Sequence, residues 1–232
     1  MTDIKKIAIA IDGYSSTGKS TLAKNLAQKL KYSYVNTGAM YRSVALYYLR
    51  QQKTITKSVK IKEVVKSLNY INITFSFNEE NNTNEVFLNG ENVQNKITSL
   101  EVSNVVSKIS KIKEVRNFMV NIQKELGKNK AVVMEGRDIG TVVLPQAEVK
   151  IFMTAKKKIR AKRRLDELQK KGYKVSLEEI LKNIEDRDFE DVNRKESPLK
   201  KPNAAYVIDN SNMSLNKQLD VALKIVFKVL NM

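Results

Sequence analysis

Apolar positions along this chain fall into short, β-branched runs separated by stretches with helical spacing. The first run covers positions 4–11, interrupted only by Lys5 and Lys6, and positions 21–30 after it read as a helix. A short strand at 32–35 turns through Asn36-Thr37-Gly38 into a helix over 39–50. Further apolar strands are predicted at 131–134, 149–153 and 205–208. The second of these leads into a charged helix over 156–171. The last feeds a terminal amphipathic helix with Leu219, Ala222, Leu223 and Val226 on one face. Apolar strands alternating with helices predict an α/β fold, a parallel sheet covered on both sides. In such sheets ligands gather at the carboxyl ends of the strands, where Lys19, Thr37, Arg137 and Asp138 all fall.

The rhythm breaks between about 66 and 116. Positions 69–77 alternate apolar and polar, 78–84 are rich in Asn and Glu and read as a loop, and 85–89 with Gly90 read as a paired strand. Helical spacing returns from about Leu100. This predicts a small antiparallel insertion between two strands of the parallel core, either a wall for a second substrate or a decoration.

Composition narrows the chemistry. The 232 residues suit one α/β domain with a subdomain, and they include no Cys, His or Trp. Without thiol or imidazole there is no Ser-His-Asp triad, cysteine nucleophile, disulfide or usual zinc site. Oxygen-ligand metal chemistry remains, which suits magnesium. The first run is too short and too lysine-bearing for a signal peptide, and no stretch approaches the roughly 20 apolar residues of a membrane span. A soluble, cytoplasmic protein is expected. The net charge of +17 draws the chain toward polyanions, whether nucleic acid, membrane surface or nucleotide phosphate. Lys57, Lys60, Lys62, Lys108, Lys111 and Lys113 are scattered over helical stretches and read as a solvated face, so no nucleic-acid site is drawn from them.

The sharpest motif is Gly13-Tyr14-Ser15-Ser16-Thr17-Gly18-Lys19-Ser20, followed by Thr21. Two glycines frame four residues ahead of Lys and Ser, between a buried strand and a helix. That arrangement turns backbone N–H groups and a helix N-terminus onto one concavity, a ready polyphosphate site. Lys19 would reach the β- and γ-phosphates of ATP or GTP, and the Ser20 hydroxyl would ligate magnesium.

Three other groups of polar residues bear on the reaction. At Glu135-Gly136-Arg137-Asp138 a carboxylate ends a buried strand and can order magnesium-bound water, while the arginine can grip phosphate in two places; a turn held by a local ion pair is the plainer reading. On the helix from Leu177, residues Arg187, Asp191 and Arg194 share one side if the helix persists, as a site or as a solvated charged face. Arg160, Arg163 and Arg164 follow a core strand and form either a lid over 156–172 or another solvated face. A guanine-reading Asn-Lys-x-Asp run is missing, since Asn216-Lys217-Gln218-Leu219 lacks the final Asp. A kinase of a small phosphorylated acceptor needs converging arginines, magnesium and a closing lid, and candidates for all of them are present.

Taken together, these segments resemble bacterial cytidylate kinase, of the P-loop nucleoside monophosphate kinases, over nearly the whole chain. The matching runs are Ile11-Asp12-Gly13 with the phosphate loop, Thr37-Gly38-Ala39-Met40-Tyr41-Arg42, Gly136-Arg137-Asp138-Ile139-Gly140-Thr141-Val142-Val143, and Arg187-Asp188 through Asn193-Arg194. The resemblance implies a five-stranded parallel core with helices on both faces, a monophosphate-binding insertion and a helical lid. It implies transfer of the ATP γ-phosphoryl to CMP or dCMP with Mg2+, by a monomer that binds neither nucleic acid nor membrane. It further implies that Arg42, Arg137 and Arg194 surround the acceptor phosphate, that Ser107, Arg116 and Asp138 contact the cytosine, and that Arg187 and Asp191 hold the ribose. Thr37 and Tyr41 would line that pocket, and Arg160 and Arg164 would serve the donor. A kinase of UMP or AMP and a nucleic-acid-binding ATPase are the alternatives. Three positions depart from the family's usual pattern: Tyr14 where Pro is common, Glu135 where Asp is commoner, and Gln146 where Asp is frequent.

Overall fold

Six consecutive buried residues make β1 (Ala8–Gly13) the centre of the sheet, because a strand buried on both faces needs a neighbour on each edge. In the computed structural model it is flanked in parallel by β6 (Val132–Gly136) and β7 (Val149–Thr154). The edges are β2 (Ser33–Asn36) and β8 (Tyr206–Asp209), giving a five-stranded parallel sheet of order β2-β6-β1-β7-β8. The structure describes residues 6–52, 59–78 and 83–231. Ile4 and Lys5 of the expected first strand, Lys57, and positions 79–82 of the expected Asn/Glu-rich loop lie outside the described residues.

The chain forms two compact units, 1–34 with 129–232, and 35–128. In the first, helices α1 (Lys19–Leu30) and α8 (Leu215–Leu230) cover one side of the sheet. Leu22, Ala23, Leu26, Ala222 and Val226 pack there on Ile7, Ile9, Ile11, Val133, Ile151 and Ile208. Helices α6 (Lys157–Lys170) and α7 (Leu177–Asn193) pair through Ala161, Leu168, Ile180 and Ile184. Ser176 starts α7 with a capping box: its hydroxyl accepts from the Glu179 amide at 3.1 Å, and the Glu179 carboxylate accepts from the Ser176 amide at 2.8 Å.

The second unit contains α2 (Thr37–Gln51), α3 (Ile61–Ser67), β3 (Ile73–Asn78), β4 (Thr83–Leu88), β5 (Glu91–Asn92), α4 (Leu100–Ile109) and α5 (Lys113–Gly127). Its three strands form an antiparallel sheet. Between β4 and β5, Asn89 at φ 51° and Gly90 at φ 83° both occupy the left-handed region, which a tight two-residue hairpin turn requires.

Several boundaries differ from the sequence expectation. α2 begins at Thr37, not 39, because the Asn36 side chain caps it by accepting from the Ala39 amide at 2.9 Å. β6 continues through Glu135 and Gly136, so that corner is partly strand. Asn69 and Tyr70 belong to a 3-10 turn (Leu68–Tyr70) ahead of β3, and Thr83 and Asn84 belong to β4 rather than to a loop. α7 stops at Asn193, leaving Arg194 in extended backbone beyond the helix.

Candidate active site

Gly13 ends β1 at φ 148°, and a Cβ there would stand 2.1 Å from the Met153 carbonyl oxygen, so only glycine lets the loop leave the sheet so close to β7. The loop then passes Tyr14, Ser15 and Thr17, with Ser16 at φ 58° and Gly18 at φ 86°. Alternation into the left-handed region turns successive amides inward, and α1 starts at Lys19 with no side-chain cap, leaving its first N–H groups for an anion. Lys19 is buried, with Nζ donating to the Tyr14 carbonyl at 2.6 Å and to Thr17 Oγ1 at 3.4 Å. Burial, and then the charge of Arg137, pull its ammonium down to about 7. Thr21 is exposed on the first turn. Ser20 is exposed and donates to Glu135 Oε1 at 2.7 Å, an oxygen that Tyr34 also approaches at 3.5 Å.

The loop is braced from two directions. Asn210, wholly buried just past β8, donates to the Thr17 carbonyl at 2.6 Å and to Gln218 Oε1 at 2.9 Å, and its Oδ1 accepts from Arg163 at 3.0 Å. The sequence places Arg160 on a lid or a solvated face; at 3% exposed it is not on a solvated face. It donates to the Ser15 carbonyl at 3.1 Å and the Ala155 carbonyl at 3.0 Å, and holds Asp188 through both carboxylate oxygens at 3.1 and 2.7 Å. Its guanidinium lies 5.3 Å from the Tyr14 ring, which meets Phe152 edge-on at 5.9 Å. Tyr14 thus packs against this arginine. Arg164 turns to Glu167 at 2.8 Å, one turn along its own helix.

Past β6 the chain bends into a short π-helical turn (Ile139–Val143), with Asp138 leading in. Four residues from two stretches of chain converge in this unit. Arg137 Nε donates to Asp191 Oδ2 at 2.8 Å, Arg194 Nη1 to Asp191 Oδ1 at 3.2 Å, and Arg194 Nη2 lies 3.8 Å from Asp138 Oδ1. Burial would raise the Asp191 carboxyl, but Arg137, Arg194 and Arg187 outweigh it and hold it below its ordinary value. Burial likewise opposes the Arg137 charge, and Asp191 and Glu135 more than restore it. Arg187 is half-buried one residue before the buried Asp188. Asp12, buried in β1, accepts from the Ile139 amide at 2.8 Å and the Gly140 amide at 2.7 Å.

In the second unit, Thr37 and Tyr41 are buried on the first turns of α2 and Arg42 is half-buried beside them. The buried Arg116 on α5 stacks over the Tyr41 ring at 5.5 Å and donates to the Ser110 carbonyl at 3.2 Å. Ser107 is half-buried on α4, and its carbonyl accepts from the Ser110 hydroxyl at 3.2 Å.

Asp12, Asp188 and Asn210 were not among the candidate site residues. Asp12 directly precedes the phosphate loop and Asp188 adjoins Arg187, so both had a signal by neighbourhood; Asn210 had only its place at a strand end.

A parallel sheet whose central strand opens through a Gly-x4-Gly-Lys-Ser loop into a helix defines a P-loop nucleotide-binding protein. The cytidylate kinase family model matches residues 9–228. A cytidylate kinase of Flavobacterium johnsoniae is 53% identical over 224 residues, covering 96% of this chain and 97% of that one. One of Parabacteroides distasonis is 48% identical, covering 93% and 94%. The chain belongs to the cytidylate kinase family. It is therefore a phosphotransferase of small nucleotides, and no helix among the described residues is long and apolar enough to cross a membrane.

Proposed function

We propose that this protein transfers the γ-phosphoryl of ATP to CMP or dCMP, giving CDP or dCDP and ADP. The bond from the γ-phosphorus to the β,γ-bridging oxygen breaks, and a new one forms to an acceptor phosphate oxygen. The observation that carries this reading is the cluster of Arg137, Asp138, Asp191 and Arg194 in the same unit as the phosphate loop, close enough that Arg137 and Asp191 act on the Lys19 charge.

The loop amides and Lys19 take the triphosphate, with Arg160 and Asn210 fixing the carbonyls at Ser15 and Thr17 so that the amides keep their direction. Arg164 and Thr21 are assigned to the donor side. Arg137 and Arg194 grip the acceptor phosphate, Asp191 keeps both guanidinium groups aimed, and Arg187 with Asp191 takes the ribose. Asp138 accepts from the exocyclic amine of cytosine, a donor where uracil carries a carbonyl acceptor. In the second unit Arg42 is assigned to the acceptor phosphate, Ser107 and Arg116 to the base, and Thr37 and Tyr41 to the pocket lining. No strong general base is required, because the acceptor is already an oxyanion; alignment and charge stabilisation carry the step.

Ser20 and Glu135 form an all-oxygen pair at the loop exit, which fits Mg2+. Bound there with phosphate oxygens and water, Mg2+ would neutralise charge on the donor phosphates. The protein is assigned to the cytoplasm and to a monomer.

An acceptor panel with ATP tests the reading. CMP and dCMP are expected to give the highest kcat/KM, UMP and AMP values lower by at least tenfold. Faster turnover of AMP or UMP would overturn it.

A further inference from the structure

Asp138 occupies the position leading into the 139–143 turn, at φ −141°, ψ 24°, where an aspartate ordinarily folds back to cap the first amides. Its side chain makes no such bond. The first two amides of the turn, at Ile139 and Gly140, are taken at 2.8 and 2.7 Å by the two carboxylate oxygens of Asp12, and the Gly140 amide is one that a cap from Asp138 would use. Sheet register explains how a residue so distant in sequence does this: Asp12 lies opposite Gly136 in β6, at the level where β6 ends, so its carboxylate reaches the amides just past the corner. The turn is shaped for the approach, since a Cβ on Gly140 would lie 3.3 Å from Asp12 Oδ2 and 2.8 Å from Pro202 Cγ.

We infer that Asp12 is a positioning residue for acceptor specificity: by capping the turn in place of Asp138, it leaves the Asp138 carboxylate directed at the acceptor base. The inference rests on the reading of Asp138 given above. Asp12 is wholly buried, and burial lifts its carboxyl to about 6, the cost of keeping a charge where an uncharged side chain would pack more cheaply. Two charge-assisted bonds to the turn are what that charge obtains. The same residue borders the phosphate loop, so one side chain ties the strand that carries the donor site to the corner that reads the acceptor.

The variant Asp12→Asn keeps the shape but presents an amide N–H2 to one of the two backbone N–H groups. Asp138 then becomes the better cap and turns inward. The measurement is the ratio of kcat/KM for CMP to that for UMP, together with the KM for ATP and amide hydrogen exchange at Ile139 and Gly140. The expected result is a ratio at least tenfold lower, an ATP KM within about twofold of wild type, and faster exchange at both amides. A loss of kcat equal for both acceptors with the ratio intact is the signature of a merely structural role and overturns the inference. Should Asp12→Asn fail to fold, Gly140→Ala disturbs the same clamp from its other side, with the same ratio expected to fall and the same unchanged ratio counting against. If wild-type protein shows no preference for CMP, the base-reading role of Asp138 fails on its own account; exchange at the two amides then decides the capping role, and equal rates in wild type and variant overturn that as well.

Discussion

Lys19 has its Nζ on the Tyr14 carbonyl at 2.6 Å, and burial holds its ammonium at about 7, against 10.5 for an ordinary lysine. A triphosphate supplies the missing countercharge and restores the ordinary range, so binding takes up a proton between pH 7 and about 10. Affinity for ATP is therefore expected to fall as pH rises through that window, by up to roughly tenfold per pH unit. Calorimetry at pH 8 in two buffers of different ionisation enthalpy measures the uptake directly. In Lys19→Ala the uptake disappears and turnover falls by about 10²–10³. The folding linkage has the same origin: the folded protein gives up this proton more readily than the unfolded chain, so Lys19 makes the nucleotide-free fold gain stability as pH rises from 7 toward 10.5. The base-reading role proposed for Asp138 bears on specificity alone. Asp138→Asn offers cytosine and uracil comparable partners, and its CMP-to-UMP ratio is expected to drop by roughly 10²-fold. Steady-state kinetics with both acceptors checks it, and an unchanged ratio refutes it.

Helices α6 and α7 act on the phosphate loop through the pair Arg160 and Asp188, whose side chains are 4% and 12% exposed. Such a pair resists the loss of one partner, because the remaining charge stays buried without compensation. Arg160→Met is expected to lower stability by about 3–5 kcal/mol by urea unfolding, and to raise the KM for ATP because the Ser15 carbonyl loses its anchor. Arg160→Met with Asp188→Leu should recover most of the stability but not the KM, separating the two roles. Element types were largely legible: β1, its loop and α1 came from a buried β-branched run and a fixed spacing, both local properties. Ends were less so. The start of α2 at Thr37 depends on one cap bond from Asn36, and the stop of α7 at Asn193 leaves Arg194 as its C-cap, from which it still meets Asp191 three positions back.

At the scale of the whole molecule, the excess of 42 Lys and Arg over 25 Asp and Glu produces a positive field that favours any polyanion. Lys19, Arg137, Arg160 and Arg194, however, are held by carboxylates and loop carbonyls, and under the proposed reading they serve small phosphates. DNA or RNA is therefore expected to leave ATP turnover unstimulated at physiological salt, and polymer-dependent stimulation would revive the nucleic-acid-binding alternative. Chemistry without His or Cys, a phosphate loop between strand and helix, and the motifs shared with the cytidylate kinase family are all readable from residue order, since each depends on neighbours within a few positions. Pairings made across the fold are not. Arg137 meets Asp191 at a separation of 54 residues, Asp12 meets Gly140 at 128, and Asn210 meets Thr17 at 193. A charged or amide side chain can satisfy its hydrogen bonds with many partners of the same type; strand register and helix packing choose among them, and these emerge only when the chain is folded.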